Sequence, residues 1–114
     1  MITRFPGLTP TRSRAVIHDR LVFTVAVSPD ADSSVYVQTQ KALKRIDESL
    51  AMSKTDKRRI LSAIVYIADI QQKEEMNRAW DEWVDRANPP MRACLGVDLE
   101  PPHLVEIVVT AAQG

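Results

Sequence analysis

Three glycines, two histidines and a single cysteine are few for a chain of 114 residues, and each scarcity removes a class of function. Gly7, Gly96 and Gly114 lie far apart, so no glycine-rich loop is present to cradle phosphates. His18, His103 and Cys94 are too scattered for metal-ligand spacing, and neither a metal nor any other cofactor is expected. Both histidines fall in connecting segments and read as solvated. Cys94 has no partner for an internal disulfide, which suits a reducing compartment, and it reads as a small buried apolar side chain. Charge of one sign is also lacking: fifteen basic residues balance fifteen acidic ones. Phosphate binding leaves a basic footprint, so nucleic acid is not an expected partner. Neutrality also leaves self-association unopposed by long-range repulsion. No apolar run approaches the ~18 residues of a membrane span. The opening residues lack a signal-peptide pattern, so no membrane association and a cytoplasmic location are expected.

What is present is an ordinary globular balance, 45% hydrophobic and 26% charged, in a length that fits one domain over residues 1–114. Residues 1–12 hold two prolines, a glycine and three threonines and read as an irregular or edge segment. Two apolar runs within 14–27 flank His18-Asp19-Arg20, a hairpin signal with Asp19 as the turn residue. Ser28–Ser33 breaks the strand and offers N-cap side chains. A helix follows over 34–52, because Val35, Thr39, Leu43, Ile46 and Leu50 recur at three- and four-residue steps, with Ala42 beside them. The polar stretch 53–59, with Lys54, Lys57, Arg58 and Arg59 around Asp56, is expected to be a solvated loop with a helical turn capped by Thr55.

Residues 60–68 are apolar at odd and even positions alike and rich in β-branched side chains, which predicts a strand buried on both faces. A second helix is expected over 72–87, with Met76, Trp80, Trp83, Val84 and Ala87 on one face and Asn88-Pro89-Pro90 stopping it. Trp80 and Trp83 read as helix-on-sheet core. Strands over 91–99 and 104–111 complete the order ββ-α-β-α-ββ, an α+β domain with a mixed sheet and two helices on one side. Two helices cover one face of such a sheet, yet strands 60–68 and 105–109 are apolar on both. A homo-oligomer with sheets packed together is the simplest cover for the second face.

Two charges interrupt these strands. In Met91–Val97, Arg92, Cys94 and Gly96 share one face while Met91, Ala93, Leu95 and Val97 share the other. Glu106 interrupts Leu104–Val109 in the same way. An arginine and a carboxylate within apolar strands are costly to bury unless paired or engaged by a ligand. The spacing fits a structural ion pair at a subunit contact as well as a binding site, and structural pairs are the commoner case.

Asn88-Pro89-Pro90-Met91-Arg92-Ala93-Cys94, followed by Val105-Glu106-Ile107 and a closing Ala111-Ala112, resembles the reactive-intermediate deaminase (Rid, YjgF-like) family. Met76-Asn77-x-x-Trp80-x-x-Trp83 is similar to the family's helix pattern, and Leu21–Thr24 to the strand that normally precedes Ser-Gly-Gln. The resemblance runs from about Ala15 to Ala112. It implies a chorismate-mutase-like fold, a homotrimer with ligand sites in the clefts between subunits, and cofactor-free hydrolysis of enamines and imines such as 2-aminoacrylate to 2-keto acids and ammonia. By position, Arg92 matches the residue that holds the substrate carboxylate, Glu106 the acid that orients water and assists proton transfer, and Cys94 a residue lining the pocket. The chain departs from the family where Val25-Ala26-Val27 replaces Ser-Gly-Gln. That substitution puts the Ala26 side chain where the backbone normally approaches the substrate. The tyrosine common near the site is also missing, since Arg12 and Ser13 fall there. The alternatives on the same scaffold are a non-catalytic sensor of keto or amino acids and a ribonuclease.

Overall fold

In the computed structural model, which describes residues 1–114, the expected hairpin is closed by two left-handed residues, Asp19 (φ 50°) and Arg20 (φ 65°). They join β2 (Ser13–His18) to β3 (Leu21–Val27), with His18 directly opposite Leu21. A two-residue turn of this hand matches the natural twist of paired strands. The opening segment proves to be an edge strand, β1 (Ile2–Pro6), antiparallel to β2. Their register shifts between Phe5 and Pro6, skipping Arg14 on β2. The Arg14 Nε donates to Ser49 Oγ at 2.8 Å, and its guanidinium pairs with Glu48 at 3.5 Å.

The first helix, α1 (Val35–Met52), starts where Ser34 accepts a hydrogen bond from the Val37 N–H. Its whole expected stripe, Val35, Thr39, Ala42, Leu43, Ile46 and Leu50, is buried. Gln38 is buried with it, and this polar side chain is fully satisfied. Its amide nitrogen donates to the carbonyls of Asp32 (2.6 Å) and Pro102 (3.0 Å), and its oxygen accepts from the Leu104 N–H (2.9 Å). One side chain thereby ties two loops to the helix.

In the 53–59 connection the helical turn is Lys57–Arg59, and Asp56 rather than Thr55 caps it by accepting from the Arg58 N–H. Donation from the Arg58 guanidinium and N–H holds the Asp56 carboxyl down at about 2. Thr55 instead donates to the Ala112 carbonyl.

The second helix, α2 (Lys73–Trp83), follows a short turn at Ile70–Gln72 and ends well before the prolines, which leaves Val84 and Ala87 outside it. Val84 is extended (ψ 144°), Lys57 Nζ donates to the Trp83 carbonyl, and Asp85 accepts from the Ala87 N–H and Asn88 Nδ2. Those two donors also hold the Asp85 carboxyl below its usual range. Capping of the Trp83 carbonyl by the distant Lys57, with the Asp85 turn behind it, thus ends the helix before proline sterics can. Neither helix is long and apolar enough to cross a membrane.

With β4 (Ile60–Ile67), β5 (Met91–Gly96) and β6 (Val105–Ala112), the strands form one sheet in the order β1-β2-β3-β6-β4-β5. Only β5 runs parallel to its neighbour, so the sheet is mixed and β5 is its second edge. Residues opposite one another share a face, so the registers assign every side chain. Val22, Thr24 and Ala26, Ala63, Val65 and Ile67, and Val105, Ile107 and Val109 face the helices and are buried. The other face carries Phe23, Val25, Ile64, Val108, Met91 and Leu95. Its own chain covers β4 on the helix side alone. Within one chain, Ser62, Ile64 and Tyr66 are only half covered, and Phe23 (43%), Val25 (42%), Leu95 (44%) and Met91 (75%) are exposed.

Replacing Gln38 with leucine keeps the volume but strands the Leu104 N–H and two carbonyls. Denaturant unfolding at matched protein concentration should show a loss of about 2–3 kcal/mol. A loss under about 0.5 kcal/mol would mean that water takes over those groups and that Gln38 is no clamp.

Candidate functional site

Arg92 sits on edge strand β5 opposite Ala63 of β4, and its side chain therefore lies on the helix side of the sheet. It meets α2 there. Nη2 donates to Asn77 Oδ1 at 2.9 Å, and Nη1 lies 3.7 Å from Met76 Sδ. The guanidinium carbon stands 5.2 Å from the centre of the Trp80 ring. Trp80 packs against Trp83 at 5.4 Å and 55°, and Lys57 Nζ lies 5.3 Å from the Trp83 ring. Trp83 Nε1 donates to Asp47, so the second indole is pinned as well. The two rings thus form a short row with a cation at each end. Trp80 is core, as its spacing predicted, and it is also the surface on which Arg92 rests.

Every partner of Arg92 is neutral. It enters none of the salt bridges of the chain, which involve Arg14, His18, Lys41 and Arg58. The residue is half exposed, so its charge keeps contact with water. Asn77 is held in turn by Glu74, which accepts from Asn77 Nδ2 at 3.4 Å.

Cys94 is two residues further along β5, opposite Val65, on the same helix-facing side. It is half buried and packs against the core, and its thiol is free. Glu106 lies elsewhere. It pairs across β6 with Val27 on one side and Tyr66 on the other, and belongs to the face that the helices leave open. Two strand spacings, roughly 10 Å, and the thickness of the sheet separate it from Arg92. An ion pair between the two within one chain is thereby excluded.

Ala26 points its methyl group into the core opposite Ile107, so its side chain lines no surface. The pairing of β3 with β2 ends at Thr24, however, and residues 25–27 are bordered by β6 alone. The backbone of Ala26, unlike its side chain, therefore runs along an open border of the sheet.

A hollow of about 420 Å³ lies at the far edge of the sheet between Arg4 and Arg12, with Thr9, Thr11 and Ser13 around it. It touches none of the residues above. Two exposed arginines, one on β1 and one on the loop after it, make an open depression rather than a built site. No group of His, Cys, Asp and Glu side chains is arranged to hold a metal ion.

Sequence reasoning singled out Arg92, Cys94 and Glu106 but missed what holds the arginine. A signal did exist. Asn77 is a poor helix former set in the middle of an eleven-residue helix, three positions before Trp80.

Residues 9–113 match the family described as Endoribonuclease L-PSP. A RutC family protein of Haemophilus ducreyi is 45% identical over 113 residues, which is 98% of this chain and 97% of the relative. The RutC family protein YoaB of Escherichia coli is 34% identical over 101 residues, 88% of this chain and 89% of the relative. Among solved structures, a YjgF-family member from Neisseria meningitidis superposes with a TM-score of 0.94 at 35% identity, covering 100% of this chain and 96% of the other. A Mycobacterium tuberculosis member at 22% identity gives 0.87, which extends the agreement in fold alone. The α+β, chorismate-mutase-like fold and a match across nearly the whole chain lead to one conclusion: this chain belongs to the YjgF/RutC family.

Proposed function

We propose that the chain hydrolyses small carboxylate-bearing imines and enamines of the 2-aminoacrylate type, in clefts between the subunits of a homotrimer in the cytoplasm. The observation that carries the reading is Arg92, a guanidinium held by neutral partners with no acid to neutralise it. A planar fork of this kind takes a carboxylate through two parallel, charge-assisted hydrogen bonds. The chemistry balances with water alone. Tautomerisation of the enamine gives the imine, and water adds to the C=N carbon. Glu106 accepts the water's proton and returns it to nitrogen. Glu106 then carries the hydroxyl proton of this carbinolamine to the nitrogen as the C–N bond breaks, so that ammonia leaves and the carbonyl of the 2-keto acid forms. Positioning and proton transfer suffice for so reactive a substrate, and no redox partner is needed.

The opposite placement of the two groups bears on the assembly. One chain cannot present Arg92 and Glu106 to a single small molecule, so a cleft using both takes Arg92 from one copy and Glu106 from another. The apolar face around Phe23, Val25 and Leu95 supplies a reason for copies to associate. A ribonuclease reading, suggested by the family's description, has less support. The net charge is zero, and Lys57, Arg58 and Arg59 are engaged by the Trp83 carbonyl, Asp56 and the Gln113 carbonyl.

Light scattering coupled to size exclusion should give about three times 12.8 kDa. A stable monomer at micromolar concentration would remove the shared cleft. Arg92→Ala should abolish 2-keto acid formation from enzymatically generated 2-aminoacrylate while costing only about 1–2 kcal/mol of stability, since just a hydrogen bond and a cation–π contact are lost. A stability loss of about 3–5 kcal/mol would instead reveal a hidden structural acid. Binding without turnover by the wild-type protein would favour the sensor. Co-refolding Arg92→Ala with Glu106→Gln, each inactive alone, should restore roughly a quarter of wild-type activity, because random mixing leaves that share of clefts intact. No restoration from well-mixed trimers would confine the site to one chain.

A further inference from the structure

The geometry points to Asn77 as a specificity-determining residue: its neutral amide fixes the Arg92 fork in place without neutralising it, and so reserves that charge for an anionic ligand. The inference rests on the reading of Arg92 given above and extends it to a residue of α2 that touches no substrate.

The reasoning begins with what the position could have held. Asn77 Oδ1 lies 2.9 Å from Arg92 Nη2, an ideal distance for a carboxylate oxygen as much as for an amide oxygen. Aspartate has the same shape and would turn this contact into an ion pair. If the purpose of the contact were only to anchor β5 to α2, the charged partner would serve at least as well. The chain instead uses an amide and keeps the acid one step away. Glu74 accepts from Asn77 Nδ2, which turns the amide oxygen towards the arginine, and Glu74 makes no ion pair with Arg92 itself.

The other contacts follow the same rule. Met76 Sδ and the Trp80 ring hold the guanidinium by weak, uncharged interactions that leave its remaining donors free. A cation in this state attracts a carboxylate, whereas one already paired must first give up its partner. The competition is intramolecular, so the internal acid acts at a high effective concentration and would win against a dilute substrate.

Three substitutions separate the possibilities, with 2-oxobutyrate as the probe ligand. Trp80 is one of only two tryptophans and lies against Arg92, so quenching of intrinsic fluorescence reports binding. Asn77→Asp should weaken 2-oxobutyrate binding roughly ten- to a hundred-fold and raise KM for 2-aminoacrylate in step, with kcat changed far less. Its melting temperature should stay level or rise, because Arg92 gains a partner. Asn77→Ala removes the amide without adding charge and should weaken binding by no more than about three-fold. Arg92→Ala should abolish binding.

Equal losses in the Asp and Ala variants would overturn the inference, since charge would then not matter. Wild-type affinity in Asn77→Asp beside a dead Arg92→Ala would also overturn it, while leaving Arg92 as the anchor. Unchanged binding in Arg92→Ala would remove the reading on which both rest. Should the Asp variant fail to fold, the carboxylate cannot be accommodated beside Arg92, and the inference falls with it.

Discussion

Side chains alternate along a strand, so a six-stranded sheet has two faces to cover, and this chain has helices for only one of them. Most of the molecule can be derived from that shortage. The covered face is a packed core in which Val22, Val65, Ile107 and Ile46 lose all contact with water. The open face keeps the same β-branched and aromatic character without a layer to meet it. The two charges of interest are divided by the sheet. Arg92 belongs to the helix side and is organised by α2, whereas Glu106 belongs to the bare side and is organised by nothing within its own chain.

The helix side also explains how an arginine can sit on an apolar strand without an acid. Full burial of an unpaired guanidinium would be prohibitive, but β5 is an edge and Arg92 is only half covered. Water solvates one side of the group, and the indole, thioether and amide support the other. Each support is worth about 1 kcal/mol or less, and their number gives orientation more than affinity. The second tryptophan, pinned by Asp47 and Lys57, keeps the first from turning.

Periodicity disclosed a great deal of this. The stripe from Val35 to Leu50, the turn at Asp19 and the alternation that separates Arg92 from Met91 are all written in local spacing, because each depends on neighbours within a turn of helix or a pair of strand positions. Features set by distant contacts were not legible. The end of α2 at Trp83 is set by Lys57, twenty-six residues away. The burial of Gln38 makes sense only once the loops at Asp32 and Pro102 are seen to converge on it. Arg92 and Glu106 were both visible in the sequence, but which face each occupies relative to the other depends on strand order. Placing β6 between β3 and β4 is a long-range outcome that no window of residues contains. Ala26 illustrates the same gap: its position matched a site, while its methyl group belongs to the core.

The two margins of the sheet differ in a way that matters to a newly made chain. The β1 margin is guarded by Arg4, by Pro6 and by the register shift beside it, which together spoil its value as a template. The β5 margin has no such device. Between Met91 and Gly96 it offers an unpaired backbone flanked outwardly by Met91, Ala93 and Leu95, with its only charge turned to the other side. An isolated copy leaving the ribosome therefore carries one sticky border and one inert one. A lysine at Ala93 would put on this border the kind of charge that edge strands carry against stray pairing.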